Sequence, residues 1–382
     1  MKTFSASVLA FLAATITAQA DAPRVATDIA PIHSLVAQVM EGVGTPDLLM
    51  QPGVSPHGYS LRPSEARALQ DADLVVWIGP KLTPSLKKTI ESLAADAHSL
   101  ALLGQKDSVR FDYRGADDFE VSSDDEHDHG HDDDGHDDHA HEDKDHDEHD
   151  HDEHGHDDHD DHDEHGHEDH DEHDDHGHDD HAESGHDDHG HDDHSDGDDH
   201  GHEDGHNHEG TDSHAWLDPQ NARIWLGLIA EELSEIDPEN AATYAENAAT
   251  AQAELAVLEA EIADKLAPVQ AVKFVVFHDA YQYFEKRFGL KAAGALRDVD
   301  GMAASAARLR EVRATLQEHN VQCIFSEPQF PDAIVASVAE GLDLHTTEVD
   351  PLGATQEAGA SLYGAMLSKL ADDFASCLSH AH

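Results

Sequence analysis

Residues 238–266 read PENAATYAENAATAQAELAVLEAEIADKL. The stretch is rich in Ala and Glu, has no Gly or Pro after Pro238, and repeats apolar residues at helical spacing, which predicts one long helix. At 1.5 Å per residue, roughly 28 residues reach about 40 Å, more than a small domain needs for its own packing. The stretch therefore reads as a stiff connector.

On its N-terminal side, strand signals at Arg24 to Asp28, Leu48 to Met50 and Leu74 to Ile78 alternate with helix signals at Pro31 to Met40 and Ser64 to Asp71. On its C-terminal side, Lys273 to Phe277, Gln322 to Phe325 and Thr346 to Val349 are short apolar strands. Amphipathic helices are expected between and after these at Ala303 to Glu318, Pro331 to Glu340 and Ser361 to Cys377. Strand and helix in alternation imply an α/β protein with two parallel sheets, each covered on both faces. A single large domain carrying one long surface helix would not repeat the pattern on both sides.

Met1 to Ala20 has the form of a secretory signal, with Lys2 at its start, an apolar run from Val8 to Ile16, and Ala18-Gln19-Ala20 as the cleavage site. No other run reaches the ~18 apolar residues of a spanning helix, so the expected location is the periplasm, without direct insertion into the membrane. In that oxidising compartment the only two cysteines, Cys323 and Cys377, are expected to pair.

Residues 124–210 hold 28 His and 42 acidic residues against one basic residue, Lys144, and account for −41 of the formal charge of −61. So few apolar groups cannot offset chain entropy, and like charges repel, so this insertion reads as disordered. Imidazole and carboxylate in such density collect late first-row divalent metals. An acidic balance in both the insertion and the remainder argues against nucleic acid as a partner. His202-Glu203-Asp204-Gly205-His206 matches a metalloprotease pattern, but that chemistry needs a rigid helix which this tract cannot form. The expected organisation is a signal peptide at 1–20 and an N-terminal α/β domain at 21–123, interrupted by the insertion at 124–210 and completed by 211–237. A connecting helix at 238–268 and a C-terminal α/β domain at 269–382 follow.

Nine histidines lie outside the insertion. His57, His214 and His278 fall in loops or directly after strand-like segments, and Asp350 follows the strand ending at Val349. Ligands of parallel sheets gather at the carboxyl ends of strands, so these four residues are candidates for one cleft. Three imidazoles and a carboxylate suit tetrahedral zinc. His33 reads as structural, and His98, His319, His345, His380 and His382 as solvated.

Six blocks, in order, resemble a known group. They are Gly53-Val54-Ser55-Pro56-His57-Gly58-Tyr59-Ser60-Leu61-Arg62-Pro63-Ser64, Ala72-Asp73-Leu74-Val75-Val76-Trp77-Ile78-Gly79-Pro80, His214-Ala215-Trp216-Leu217-Asp218-Pro219, Val276-Phe277-His278-Asp279-Ala280-Tyr281, Ser326-Glu327-Pro328-Gln329-Phe330 and Asp350-Pro351-Leu352-Gly353. The group is the periplasmic zinc-binding proteins of bacterial zinc ABC importers, the ZnuA type of the cluster 9 metal solute-binding family. The resemblance implies two Rossmann-like domains joined by a rigid helix, with Zn2+ as transported ligand held by His57, His214 and His278. Some relatives place a glutamate before the first histidine, where this chain has Pro56, which leaves Asp350 or a water as the fourth ligand. The third imidazole, at His278, separates the chain from manganese-binding members. Gly301-Met302-Ala303-Ala304-Ser305 departs from the Glu-Pro pair of many relatives. The Cys323–Cys377 pair matches a disulfide of some members.

The function expected is high-affinity zinc capture and delivery to an inner-membrane zinc ABC permease with its cytoplasmic ATPase, by a monomer, with further weak Zn2+ in the insertion. Its rivals are a periplasmic zinc store or chaperone and a zinc hydrolase. The hydrolase would need a general base, for which Asp279 or Glu327 are the nearest candidates. The chain is not expected to be an enzyme.

Overall fold

Side chains along Phe274–His278 alternate between two apolar surfaces: Phe274 and Val276 join the main core, and Val275 and Phe277 join a second cluster with Leu316, Ile324 and Val338. The neighbouring strand repeats this, with Cys323 and Phe325 facing the main core and Ile324 the other cluster. A strand buried on both faces reads as a continuous apolar run, which is why these segments were legible as strands.

The computed structural model describes residues 22–115, 118–119, 210–297 and 305–380. The expected signal segment, the insertion apart from Gly210, and Gly301 to Ala304 lie outside the described residues. In the first lobe β1 (Val25–Thr27), β2 (Asp47–Leu48), β3 (Leu74–Trp77) and β4 (His98–Ala101) form a parallel sheet in the order β2-β1-β3-β4. Helices α1 (Ala30–Val39), α2 (Pro63–Gln70) and α3 (Pro84–Leu93) connect these strands. Each has a proline in its first turn, where a missing N–H costs nothing.

Two antiparallel-packed helices follow, α4 (Pro219–Ile236) and α5 (Ala241–Leu266). In the second lobe β5 (Phe274–His278), β6 (Ala292–Arg297), β7 (Cys323–Ser326) and β8 (His345–Glu348) form a second parallel sheet, order β6-β5-β7-β8. Around it lie α6 (Gln282–Phe288), α7 (Ala306–Glu318), α8 (Ala333–Ala339) and α9 (Leu362–Ser379). In both sheets the first strand has its successors on opposite sides, so a crevice opens at the carboxyl ends between β1 and β3 and between β5 and β7.

The connector begins at Ala241, three residues later than its composition suggests. Asp237 closes α4 and accepts from both Asn240 Nδ2 (2.7 Å) and the Tyr244 hydroxyl (2.8 Å), so Pro238 to Asn240 make a turn. The 26 residues of α5 pack against α1 of the first lobe and α9 of the second. Asn247 donates to the carbonyls of Val39 and Glu41, while Lys265 pairs with Asp372 on α9. Tyr244, Leu255, Ile262 and Leu266 are buried, each contributing about 1.5–3 kcal/mol. One apolar core runs from β1 through α5 to α9, so the two lobes are not separate bodies.

Cys323 on β7 is bonded to Cys377 on α9, both buried, with Cα atoms 6.0 Å apart. Among the described residues no helix is long and apolar enough to cross a membrane.

Candidate metal site

His278 is the last residue of β5 and lies at the crevice of the second sheet. His57 comes from the loop that follows β2, between two glycines in the left-handed region, Gly53 (φ 83°) and Gly58 (φ 81°). No side chain other than glycine adopts that conformation cheaply. His214 precedes a single 3-10 turn, Ala215–Leu217, and then α4, whose first turn Asp218 caps by accepting from Gln220 N at 2.8 Å.

These three elements bring the imidazoles together. Ring centroids are 5.4 Å apart for His57 and His214, 5.2 Å for His214 and His278, and 6.3 Å for His57 and His278. One nitrogen from each ring lies within 4.8 Å of the other two. His214 and His278 are buried and His57 half-buried. The cavity beside them has a volume of about 10 Å³, room for one ion or water. Trp216, Phe330, Pro351 and Leu352 form its apolar wall, and Trp216 Nε1 ties the wall together by donating to Pro351 O at 2.7 Å. Three neutral nitrogen donors in an apolar, water-poor setting fit zinc.

Asp350 stands beyond the end of β8 and does not belong to the three-histidine group. Its carboxylate instead organises its own turn: Oδ1 accepts from Leu352 N (3.1 Å) and Gln329 Nε2 (3.2 Å), and Oδ2 from Thr355 N (3.2 Å).

Carboxylates surround the site, of which the sequence offered Asp279 and Glu327 only as candidate bases and Asp212 not at all. Asp212 Oδ1 is 2.8 Å from His214 Nδ1, and Glu327 Oε1 is 2.7 Å from His278 Nδ1. An Asp two residues before a candidate ligand was the available signal for the first. For the second, Glu327 follows β7, and only the strand order puts β7 beside β5. Asp279 is bound by Arg114, whose guanidinium also bonds both oxygens of Glu285 (2.8 and 2.9 Å). Burial pushes Asp279 up to about 6 although Arg114 works against it. Burial alone would lower Arg114, but Glu285 and Asp279 raise it further above its ordinary value. The Tyr281 hydroxyl is raised well above its usual range by burial, then by Glu327 and Asp350.

The other histidines among the described residues behave as ordinary residues, and His382 lies outside them. His33 is buried, donates from Nε2 to Pro46 O (3.1 Å), and is lowered by that burial. His98 is exposed and reaches Glu232 at 3.3 Å, with Glu235 nearby, an acidic surface cluster. His345 and His380 are neighbours on the surface, and His319 is half-buried.

Residues 25–377 match the family model described as zinc-uptake complex component A, periplasmic (ZnuA). The high-affinity zinc uptake system protein ZnuA of Paracoccus denitrificans (strain Pd 1222) is 40% identical over 366 residues, covering 96% of this chain and 94% of its own. Its counterpart from Brucella suis biovar 1 (strain 1330) is 38% identical over 355 residues, covering 93% and 91%. Among solved structures, a crystal structure of ZnuA aligns with TM-score 0.62 at 19% identity, over 94% of this chain and 100% of that one. The periplasmic zinc-binding protein TroA of Treponema pallidum aligns with TM-score 0.61 at 18% identity, over 94% and 99%. At these identities the structures establish the fold, two parallel four-stranded sheets with helices, and the sequence match establishes the kinship: the chain belongs to the ZnuA family of periplasmic zinc-uptake components.

Proposed function

We propose that this protein captures Zn2+ in the periplasm through His57, His214 and His278 and hands it to an inner-membrane ABC permease driven by a cytoplasmic ATPase. The observation that carries the reading is the convergence of three imidazoles, from three separate elements of two lobes, on a cavity of ion size. Asp350 accepts three hydrogen bonds at its own turn and keeps lone pairs to spare, so the fourth place is read as Asp350 or a water. The relatives named as high-affinity zinc uptake proteins support the cargo. Binding without reaction agrees with the two carboxylates that a hydrolase could use, since Asp279 is held by Arg114 and Glu327 by His278.

Release would start at His57. Its loop is exposed and hinged by two left-handed glycines, while His214 and His278 are fixed in the core. The 28 histidines of residues 124–210 would add weaker zinc sites that raise the local supply, as a tethered ligand does. The proposed division of the chain is the one expected from the sequence, with the connecting helix beginning at Ala241.

The test is zinc competition against a tight chelator, using the full chain. Replacing any one of His57, His214 or His278 by Ala should remove the single tight equivalent and leave the weaker ones. Tight binding that survives in all three variants would refute the ligand set.

A further inference from the structure

A histidine can offer either ring nitrogen to a metal, and what settles the choice is the bond made by the other nitrogen. We infer that Asp212 and Glu327 are positioning residues that hold His214 and His278 in the Nδ1–H form, so that both present Nε2 to a divalent ion. The inference rests on the reading of these histidines as ligands.

At His214 the proton can be placed from the donors around Asp212. Its Oδ1 accepts the His214 backbone N–H at 2.9 Å, and the same oxygen lies 2.8 Å from Nδ1. Its Oδ2 faces Gln282 Nε2 at 3.4 Å, and that amide is oriented by its bond to Asp112 O at 2.9 Å. Both oxygens are therefore acceptors, which leaves the shared proton on Nδ1 and the lone pair on Nε2. Asp212 is itself locked in place. Asp112 pairs with Thr211, Asp212 N donates to Phe111 O at 2.8 Å, and the Tyr283 hydroxyl donates to Asp212 O at 2.9 Å.

At His278 the arrangement recurs on a different element. Glu327 leaves the end of β7, His278 ends β5, and the two strands are neighbours, so their 2.7 Å bond spans the crevice of the second sheet. Asp212 is fully buried and Glu327 is 1% exposed. Carboxylates withdrawn from water this completely need a compensating charge. Two of them behind neutral imidazoles match one divalent cation, and would favour it over a monovalent ion. A structural histidine of this fold is held otherwise: His33 donates to a neutral carbonyl, that of Pro46.

The experiment uses the full chain and the conservative variants Asp212→Asn and Glu327→Gln. Zinc affinity at the tight site, measured by chelator competition, should fall about 10–100-fold in each, as loss of a carboxylate behind a metal-bound histidine commonly does. Long-range 15N NMR of the histidine rings gives the readout that a merely structural role would not move. Wild-type His214 and His278 should be protonated at Nδ1 with and without zinc, and each variant should lose that single form at its own histidine. Rings protonated at Nε2 in the wild type, or both variants within twofold of wild-type affinity, would overturn the inference. If a variant fails to fold, the wild-type ring signals alone decide. Failure of the ligand reading looks different, because tight zinc would then survive replacement of His214 or His278 by Ala.

Discussion

Arg114 is the residue whose loss the structure makes most costly outside the site. Its guanidinium reaches Asp279 and both oxygens of Glu285, with 13% of the Arg114 side chain exposed and 2% of each acid. Arg114→Met keeps the length and apolar stem but leaves two buried carboxylates with no cation between them. Removing one partner of a buried pair costs about 3–5 kcal/mol, and the shared partner here argues for the upper half of that range. For a chain of this size each kcal/mol shifts Tm by about 2–4 °C, so the variant should melt roughly 8–20 °C lower. Arg114→Lys should fall in between, since an ammonium is a point charge that cannot fork to both acids. The assay is thermal unfolding of the metal-free protein at neutral pH by circular dichroism, checked by calorimetry. A methionine variant within about 2 °C of wild type would refute the claim that this cluster is a buried, cation-dependent one, and a lysine variant equal to wild type would refute the role assigned to the fork.

Asp28 supplies a pH test. It is fully buried and its carboxylate ties Ile29 N and Ile78 N (both 2.8 Å), and burial pushes it up to about 7 against those bonds. A carboxyl raised in the folded state contributes stability that is complete below about pH 4 and is lost as pH rises through about 7. Asp28→Asn cannot titrate, so relative to wild type it should gain on the order of 4 kcal/mol between pH 4 and pH 8, on top of a constant loss from one poorer hydrogen bond. Denaturant unfolding at the two pH values measures this, and a difference that does not change with pH would contradict it. Free-thiol assay of unfolded, unreduced protein should find no reactive thiol. Reduction of Cys323–Cys377, which closes a span of 54 residues, should cost about 4 kcal/mol, seen as a lower Tm; two reactive thiols before reduction would count against the bridge.

What could be read of the fold before any coordinates follows from burial. Strands β1, β3, β5 and β7 are central and buried on both faces, and all four were legible as strands, β3 and β5 as continuous hydrophobic runs. The strands that escaped notice, β4 (HSLA) and β6 (AAGALR), are edge strands. With one neighbour each and no β-branched residue, they carry little intrinsic preference, and their pairing comes from the strand beside them. The connecting helix was legible because its composition alone favours helix. Its partner α4 was not, since Gly227 weakens the local signal and its stability comes from packing on α5 and α1.

The site divides along the same physical line. His57, His214 and His278 were legible as candidates because each sits beside a recognisable strand end or turn, and a histidine there is a rare residue in a rare place. Asp350 met the same positional test, and its oxygens also accept from Leu352, Gln329 and Thr355. Position along the chain tells that a carboxylate is near a crevice, not which donors it faces. The pairings behind the histidines were out of reach for that reason: Glu327 meets His278 across 49 residues and Arg114 meets Asp279 across 165. Such pairs are set by the order of strands in a sheet and by the return of a chain to its starting point. The long-range pairing of Glu327 with His278 is therefore the part of the site that a linear reading loses first, while Asp212, two residues from His214, stays within its reach; the ring protonation of the two histidines is where both pairings become measurable.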